Sequence, residues 1–153
     1  MNWIIRPALI ADTEAIARYN AALALETEQR SLDLEVLRLG VAALITDAGK
    51  GRYFVAEADG QVVGQVMVTY EWSDWRNGNF WWLQSVYVCA SHRGRGVFKS
   101  LFTQVIEQAR TAGNVCGVRL YVEKENHRAQ KVYANLGLQG TPYHILERDF
   151  VLT

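Results

Sequence analysis

Cysteine is scarce, with only Cys89 and Cys116 in 153 residues. Two are too few for a disulfide framework, and neither has a neighbouring Cys or His at metal-ligand spacing. Both read as reduced, buried small hydrophobes, and the shortage of paired ligands argues against a metal enzyme. Cys89 precedes His92 closely, but nothing in the sequence brings the two side chains together as nucleophile and base. An excess of one charge is also missing: Lys plus Arg and Asp plus Glu both number 16. No long-range basic field therefore exists, and nucleic acid and anionic membranes are disfavoured as partners. No apolar run approaches the roughly 20 residues of a membrane span. The start, MNWIIRPAL, lacks the charged-then-apolar layout of a signal peptide, so a cytoplasmic location is the expectation. Linkers, repeats and low-complexity segments are absent.

What is present suits one ordinary globular domain over residues 1–153, half of it hydrophobic and 21% charged. The most informative stretch runs from Trp82 to Ala112. Trp82 to Val88 is rich in aromatic and β-branched residues and reads as a strand. A basic turn, His92-Arg93-Gly94-Arg95-Gly96, follows. From Val97 the apolar residues Val97, Leu101, Val105 and Ala109 then recur at helical spacing. Strand, glycine-rich turn and helix together suit phosphate, because the first helical turn carries unpartnered N–H groups and the positive end of the macrodipole. Gly94 and Gly96 clear side chains from those amides, while Arg93 and Arg95 add charged donors. A dinucleotide fingerprint would need glycine at 99, where Lys99 stands. A nucleotide-triphosphate loop would need glycine at 93 and 98, occupied by Arg93 and Phe98.

The remaining elements follow from local signals. Trp3 to Arg6 reads as a strand closed by Pro7, and Asp12 as the N-cap of a helix bearing Ala15, Ile16, Tyr19, Leu23 and Ala24. A second helix starts near Asp33 and stops at Gly49 to Gly51. Arg52 to Ala58 and Gln61 to Glu71 flank Asp59-Gly60, a strong hairpin signal. Trp72 to Asn79 connects to the next strand, Gly117 to Glu123 is a further strand, Asn126 caps a helix over His127 to Leu136, and Tyr143 to Phe150 makes the closing strand. The order β-α-α-β-β-β-α-β-α-β implies an α/β (α+β) fold: a mixed sheet with helices on both faces.

Two motifs carry a family resemblance. Arg93-Gly94-Arg95-Gly96-Val97-Phe98 resembles the acyl-CoA pyrophosphate loop, R/Q-x-x-G-x-G/A, of the GNAT superfamily of N-acetyltransferases, with Phe98 departing from the small final residue. Asn126, Ala129 and Tyr133 followed by Leu136-Gly137-Leu138 resemble that family's N-x-x-A-x-x-x-Y-x-x-x-G-F/L signature. The resemblance covers nearly the whole chain and implies a mostly antiparallel sheet of six to seven strands. It implies acetyl-CoA as acyl donor, no metal, and a primary amine of a small molecule as acceptor.

Residue by residue, the resemblance assigns Val86 and Val88, with Tyr87 between them, to the pantetheine. Arg93 to Phe98 go to the pyrophosphate, and Asn126, Ala129 and Tyr133 to the cofactor arm near the sulfur. The catalytic candidates are Tyr133 as acid, Glu71 as base, and Gln84, which with Trp82 stands where many relatives have a glutamate. A backbone N–H of Val86 or Val88 is the oxyanion donor. Glu26, Glu28, Glu71, Trp72, Asp74 and Trp82 form the acceptor set, since aromatic faces beside carboxylates suit a cationic amine. The clustered tryptophans would equally serve a dimer surface, so a homodimer stands beside the amine as an expected partner. The missing strand glutamate supports the alternative of a non-catalytic acyl-CoA-binding or regulatory module.

Overall fold

The computed structural model describes residues 2–152, which divide after Tyr121 into two compact units. The first holds β1 (Ile4–Pro7), α1 (Thr13–Glu28), α2 (Leu34–Thr46), β2 (Arg52–Ala58), β3 (Gln61–Ser73), β4 (Gly78–Val88), α3 (Val97–Thr111) and β5 (Val115–Leu120). The strands lie side by side in chain order. The first three pairings are antiparallel and the last, β4 with β5, is parallel. This is the mixed, mostly antiparallel sheet expected. The second unit holds α4 (His127–Asn135).

Alternation along the strands divides the core between two faces. Tyr53 and Val55 pack with Ile16, Ala17, Val41 and Leu44 of α1 and α2. The intervening Phe54 and Ala56 pair with Val66 and Gly64 on the opposite face. There α3 buries Val97, Leu101, Phe102, Val105 and Ala109, the apolar stripe legible in the sequence. Gly64 permits this contact, because a Cβ at that position would lie 2.8 Å from Val97 Cγ1. Asp59 and Gly60 both adopt positive φ, as a two-residue hairpin turn requires.

Three expectations are corrected. Asp12 precedes α1 but its side chain does not cap it. Its carboxylate instead accepts from Leu9 N–H and from both terminal nitrogens of Arg6 at 2.8 and 3.0 Å, a bidentate pairing stronger than a cap. The β3–β4 ladder runs on to Ser73 and Gly78, so the turn is shorter than the sequence suggested. Tyr143 to Phe150 form no strand, and the sheet has five strands among the described residues rather than six or seven. A strand needs a ladder partner. Here Asp149 Oδ1 takes the amides of Val151 and Leu152, and Thr141 Oγ1 takes that of Tyr143, all local bonds that favour turns.

Candidate active site

The β4–β5 ladder extends from Asn79 opposite Val115 to Leu83 opposite Leu120, where β5 stops. β4 continues alone on that side from Gln84 to Val88. Cys89 N–H donates to Val63 O at 2.9 Å, so it faces β3. By alternation, the main-chain groups of Val88 and Val86 face the open side, ready to bond an extended ligand as a neighbouring strand would.

Within this free length β4 bulges. Gln65 opposes Tyr87 whereas Met67 opposes Gln84, so Ser85 and Val86 together oppose Val66. Ser85 takes a left-handed conformation, φ 50°. Beneath it lies the fully buried Gln65, whose Nε2 donates to Ser85 O at 3.1 Å and Asn20 Oδ1 at 2.7 Å. Asn20 Nδ2 donates in turn to Tyr53 Oη at 3.2 Å.

Beyond Val88 the chain makes a single 3-10 turn, Ala90–His92, and reaches Gly94 at φ 73° and Gly96 at φ 94°. Gly96 is the N-cap of α3, which has no acidic residue in its first turn. These left-handed angles strongly favour glycine and leave the α3 amides uncovered by side chains. Val97 is buried, while Phe98 packs near Phe102 with ring centroids 6.0 Å apart, which turns its bulk along the helix. Arg95 is exposed. Arg93 lies along the open strand side: its Nε donates to Val88 O at 2.8 Å, and its guanidinium sits 5.1 Å from the Tyr87 ring centre.

Glu26, from the end of α1, joins this group. Its carboxylate accepts from Tyr87 Oη and from Arg93 Nη2, both at 2.8 Å. The Tyr87 hydroxyl and Arg93 hold Glu26 below the usual carboxylate range. Burial, and then Glu26, raise Tyr87. Glu28 is exposed beside Arg30.

At the other end of the strand, Glu71 accepts from Trp82 Nε1 at 2.6 Å and Arg119 Nη1 at 2.9 Å. The Trp82 ring lies 4.4 Å from that of Tyr121. Gln84 Nε2 donates to Thr69 Oγ1 at 2.6 Å, while Trp72 is exposed and Asp74 accepts from Trp75 N–H. The structure therefore brings Glu71 together with Trp82. It places Glu26 with Arg93 of the glycine turn, about 16 Å away along β4 at 3.3 Å per residue from Trp82 to Tyr87.

In the second unit Asn126 Oδ1 accepts from Ala129 N–H, capping α4. The helix stops as expected: Leu138 N–H reaches Tyr133 O and Gly137 N–H reaches Ala134 O, with Gly137 at φ 89°. Tyr133 is half-buried, and burial raises its hydroxyl above the ordinary value, which keeps it a proton donor at neutral pH.

Chain comparisons match these features. The model of the "Acetyltransferase (GNAT) family" matches residues 17–138. The chain belongs to the GNAT acetyltransferase family. A "possible acetyltransferase" from Clostridium difficile 630 is 44% identical with a TM-score of 0.90, with 99% of each chain covered. The ribosomal-protein-alanine N-acetyltransferase of Brucella melitensis biovar Abortus 2308 shares the fold at 18% identity and a TM-score of 0.77, covering 97% of this chain and 99% of its own. A "predicted acetyltransferase with acetyl-CoA" from Clostridium acetobutylicum does so at 14% identity and 0.79, covering 95% and 96%. A search of curated proteins found no match.

Within this GNAT chain, three features of the site were not foreseen from its sequence. The first is the Asn20–Gln65–Ser85 network, signalled only by a lone glutamine inside the apolar run Val62 to Val68. The second is Arg119, which shares Glu71 with Trp82. The third is the meeting of Cys89 Sγ and His92 Nδ1 at 3.4 Å, with Ser91 Oγ 2.9 Å from the same nitrogen. Among the described residues no group of three His, Cys, Asp or Glu could hold a metal ion, and no helix is long and apolar enough to cross a membrane.

Proposed function

We propose that this GNAT protein transfers an acetyl group from acetyl-CoA to the primary amine of a small molecule. The observation that carries the reading is the end of the β4–β5 ladder at Leu83 and Leu120, directly upstream of the Gly94–Gly96 turn. The open main chain of Val86 and Val88 suits the amide-bearing pantetheine arm, and the α3 amides with Arg93 and Arg95 suit the pyrophosphate. The family motif adds Asn126, Ala129 and Tyr133. The neighbour solved with acetyl-CoA shares this fold and supports that donor.

In the reaction the neutral amine nitrogen attacks the thioester carbon. The carbonyl oxygen becomes an oxyanion, stabilised by a β4 main-chain N–H. Collapse breaks the C–S bond and yields the amide and the CoA thiolate. The Tyr133 hydroxyl supplies the thiolate's proton, a role it holds here on the family motif. Glu71, already accepting from Trp82 and Arg119, holds the cationic acceptor through its carboxylate and the Trp82 face, and takes the amine proton through a chain of waters along β4. Gln84 does not ionise and orients polar groups only. Glu26 keeps Arg93 in place until phosphate arrives.

The test is a panel of amines incubated with acetyl-CoA, with free thiol followed. Acceptor-dependent thiol release supports the reading. Binding of acetyl-CoA with no turnover on any amine would instead identify a non-catalytic acyl-CoA-binding module.

A further inference from the structure

Gln65 is the one neutral polar side chain among the fully buried described residues. Burying an amide in an apolar core is unfavourable unless every polar atom is bonded. Gln65 meets that condition only in part, because its Oε1 has no hydrogen-bond partner. Leucine or methionine would fill the same space with no orphaned oxygen of its own, leaving Asn20 Oδ1 and Ser85 O without this donor. A residue that is locally unfavourable for stability calls for another reason, and its two donor bonds indicate one.

Gln65 Nε2 joins α1, through Asn20 Oδ1, to the β4 bulge, through Ser85 O. The network continues to the core: Asn20 Nδ2 donates to Tyr53 Oη. The bulge is thus held by its carbonyl. In a trans peptide the C=O of one residue and the N–H of the next point in opposite directions. Drawing Ser85 O toward Gln65 therefore turns the N–H of Val86 away from it, toward the open side of β4. The same bond restrains Ser85 in a left-handed conformation that serine does not favour.

We propose that Gln65 is a positioning residue that fixes the Ser85–Val86 peptide plane, so that the Val86 N–H meets the thioester oxygen. This rests on the acetyl-transfer reading and selects Val86 over Val88 as the oxyanion donor. Val88 is further distinguished by its carbonyl, which Arg93 Nε already occupies. Gln65 touches no reacting atom; it acts through the strand.

The test is Gln65→Met, which keeps length and volume and removes both donors. The unpartnered Oε1 disappears, but Asn20 Oδ1 and Ser85 O lose their donor, so the melting temperature should fall modestly while the protein stays folded. The acetyl-CoA-induced thermal shift should persist, since the phosphate loop is intact. Turnover should fall roughly ten- to a hundredfold in kcat, less than the 10²–10³ for outright loss of an oxyanion donor, with the pH profile unchanged in shape because no network member titrates near neutrality. Asn20→Ala, which removes the other anchor, should lower kcat in the same direction by less. A crystal structure of Gln65→Met should show Ser85 leaving positive φ. Parent-like kcat in the folded variant, or Ser85 still at positive φ there, overturns the proposal. If the parent turns over no amine, the acetyl-transfer reading fails by itself, and the Ser85 conformation still decides whether Gln65 holds the bulge.

Discussion

Glu26 and Arg93 are 67 positions apart in sequence and meet at 2.8 Å, the end of α1 against the turn that precedes α3. Glu26 belonged to the expected acceptor set, yet it sits on the side chain assigned to pyrophosphate. On the proposed reading, an incoming phosphate would compete with the Glu26 carboxylate for the same guanidinium.

Glu26→Gln should therefore tighten acetyl-CoA binding. The pair is nearly half exposed, and exposed pairs are worth about 0.2–1 kcal/mol. The gain should be no more than about fivefold in Kd by calorimetric titration, and smaller at high salt. Weaker binding would mean that Glu26 orients Arg93 for phosphate and does not compete with it.

Tyr133→Phe separates the enzyme from a binding module. The ring that packs α4 stays and the proton donor goes, so acetyl-CoA affinity should hold while kcat falls. General-acid assistance is worth about 10²–10⁴-fold, and a thiolate leaves fairly well unaided, so the lower end is expected. Because burial raises the Tyr133 hydroxyl, the acid form persists through neutral pH, and its contribution should disappear only above the ordinary tyrosine range. A parent-like rate at every pH would reduce Tyr133 to a packing residue.

Asp12 sets an acid limit on stability. Hydrogen bonding to Arg6 lowers its pKa below the ordinary value against an opposing effect of burial. A depressed folded pKa contributes stability that is fully present above the unfolded value near 3.9 and is lost as pH falls through the folded one. Asp12→Asn should cost about 1.5–3 kcal/mol at pH 7, the range for a hydrogen bond to a charged group. In urea titrations the difference from the parent should shrink below about pH 4. A constant difference down to pH 2 would place its origin in the Leu9 turn instead.

Much of the candidate site's framework was legible because its signals are local. The glycine turn is written in consecutive residues, Arg93 to Phe98, and α3 in a four-residue apolar repeat. Asn126 and Gly137 bracket α4 by capping rules that need no tertiary information. Pairings between distant segments were not legible. Glu26 with Arg93, Glu71 with Arg119 and Gln65 with Ser85 each depend on strand register and on where a helix ends, which no spacing rule encodes. The bulge at Ser85 had a faint trace, the polar pair Gln84-Ser85 interrupting an otherwise apolar strand. Tyr143 to Phe150 shows the converse: a β-prone composition does not make a strand without a ladder partner, and the side-chain bond that one of its amides makes, Tyr143 N–H to Thr141 Oγ1, is local.

The central claim, that the open side of β4 and the Gly94–Gly96 turn hold acetyl-CoA, is tested most directly by thermal denaturation of parent and Gly96→Val with and without acetyl-CoA. At a hundredfold excess over Kd, a ligand that binds only the folded state stabilises it by about 2.7 kcal/mol. For a chain of this size that corresponds to about 5–10 °C in Tm. Gly96 sits at φ 94° where α3 begins; valine there strains the backbone and crowds the amides, so the folded variant should melt lower and show no shift. A parent with no shift at millimolar acetyl-CoA, or a Gly96→Val protein with the parent's full shift, would contradict the account.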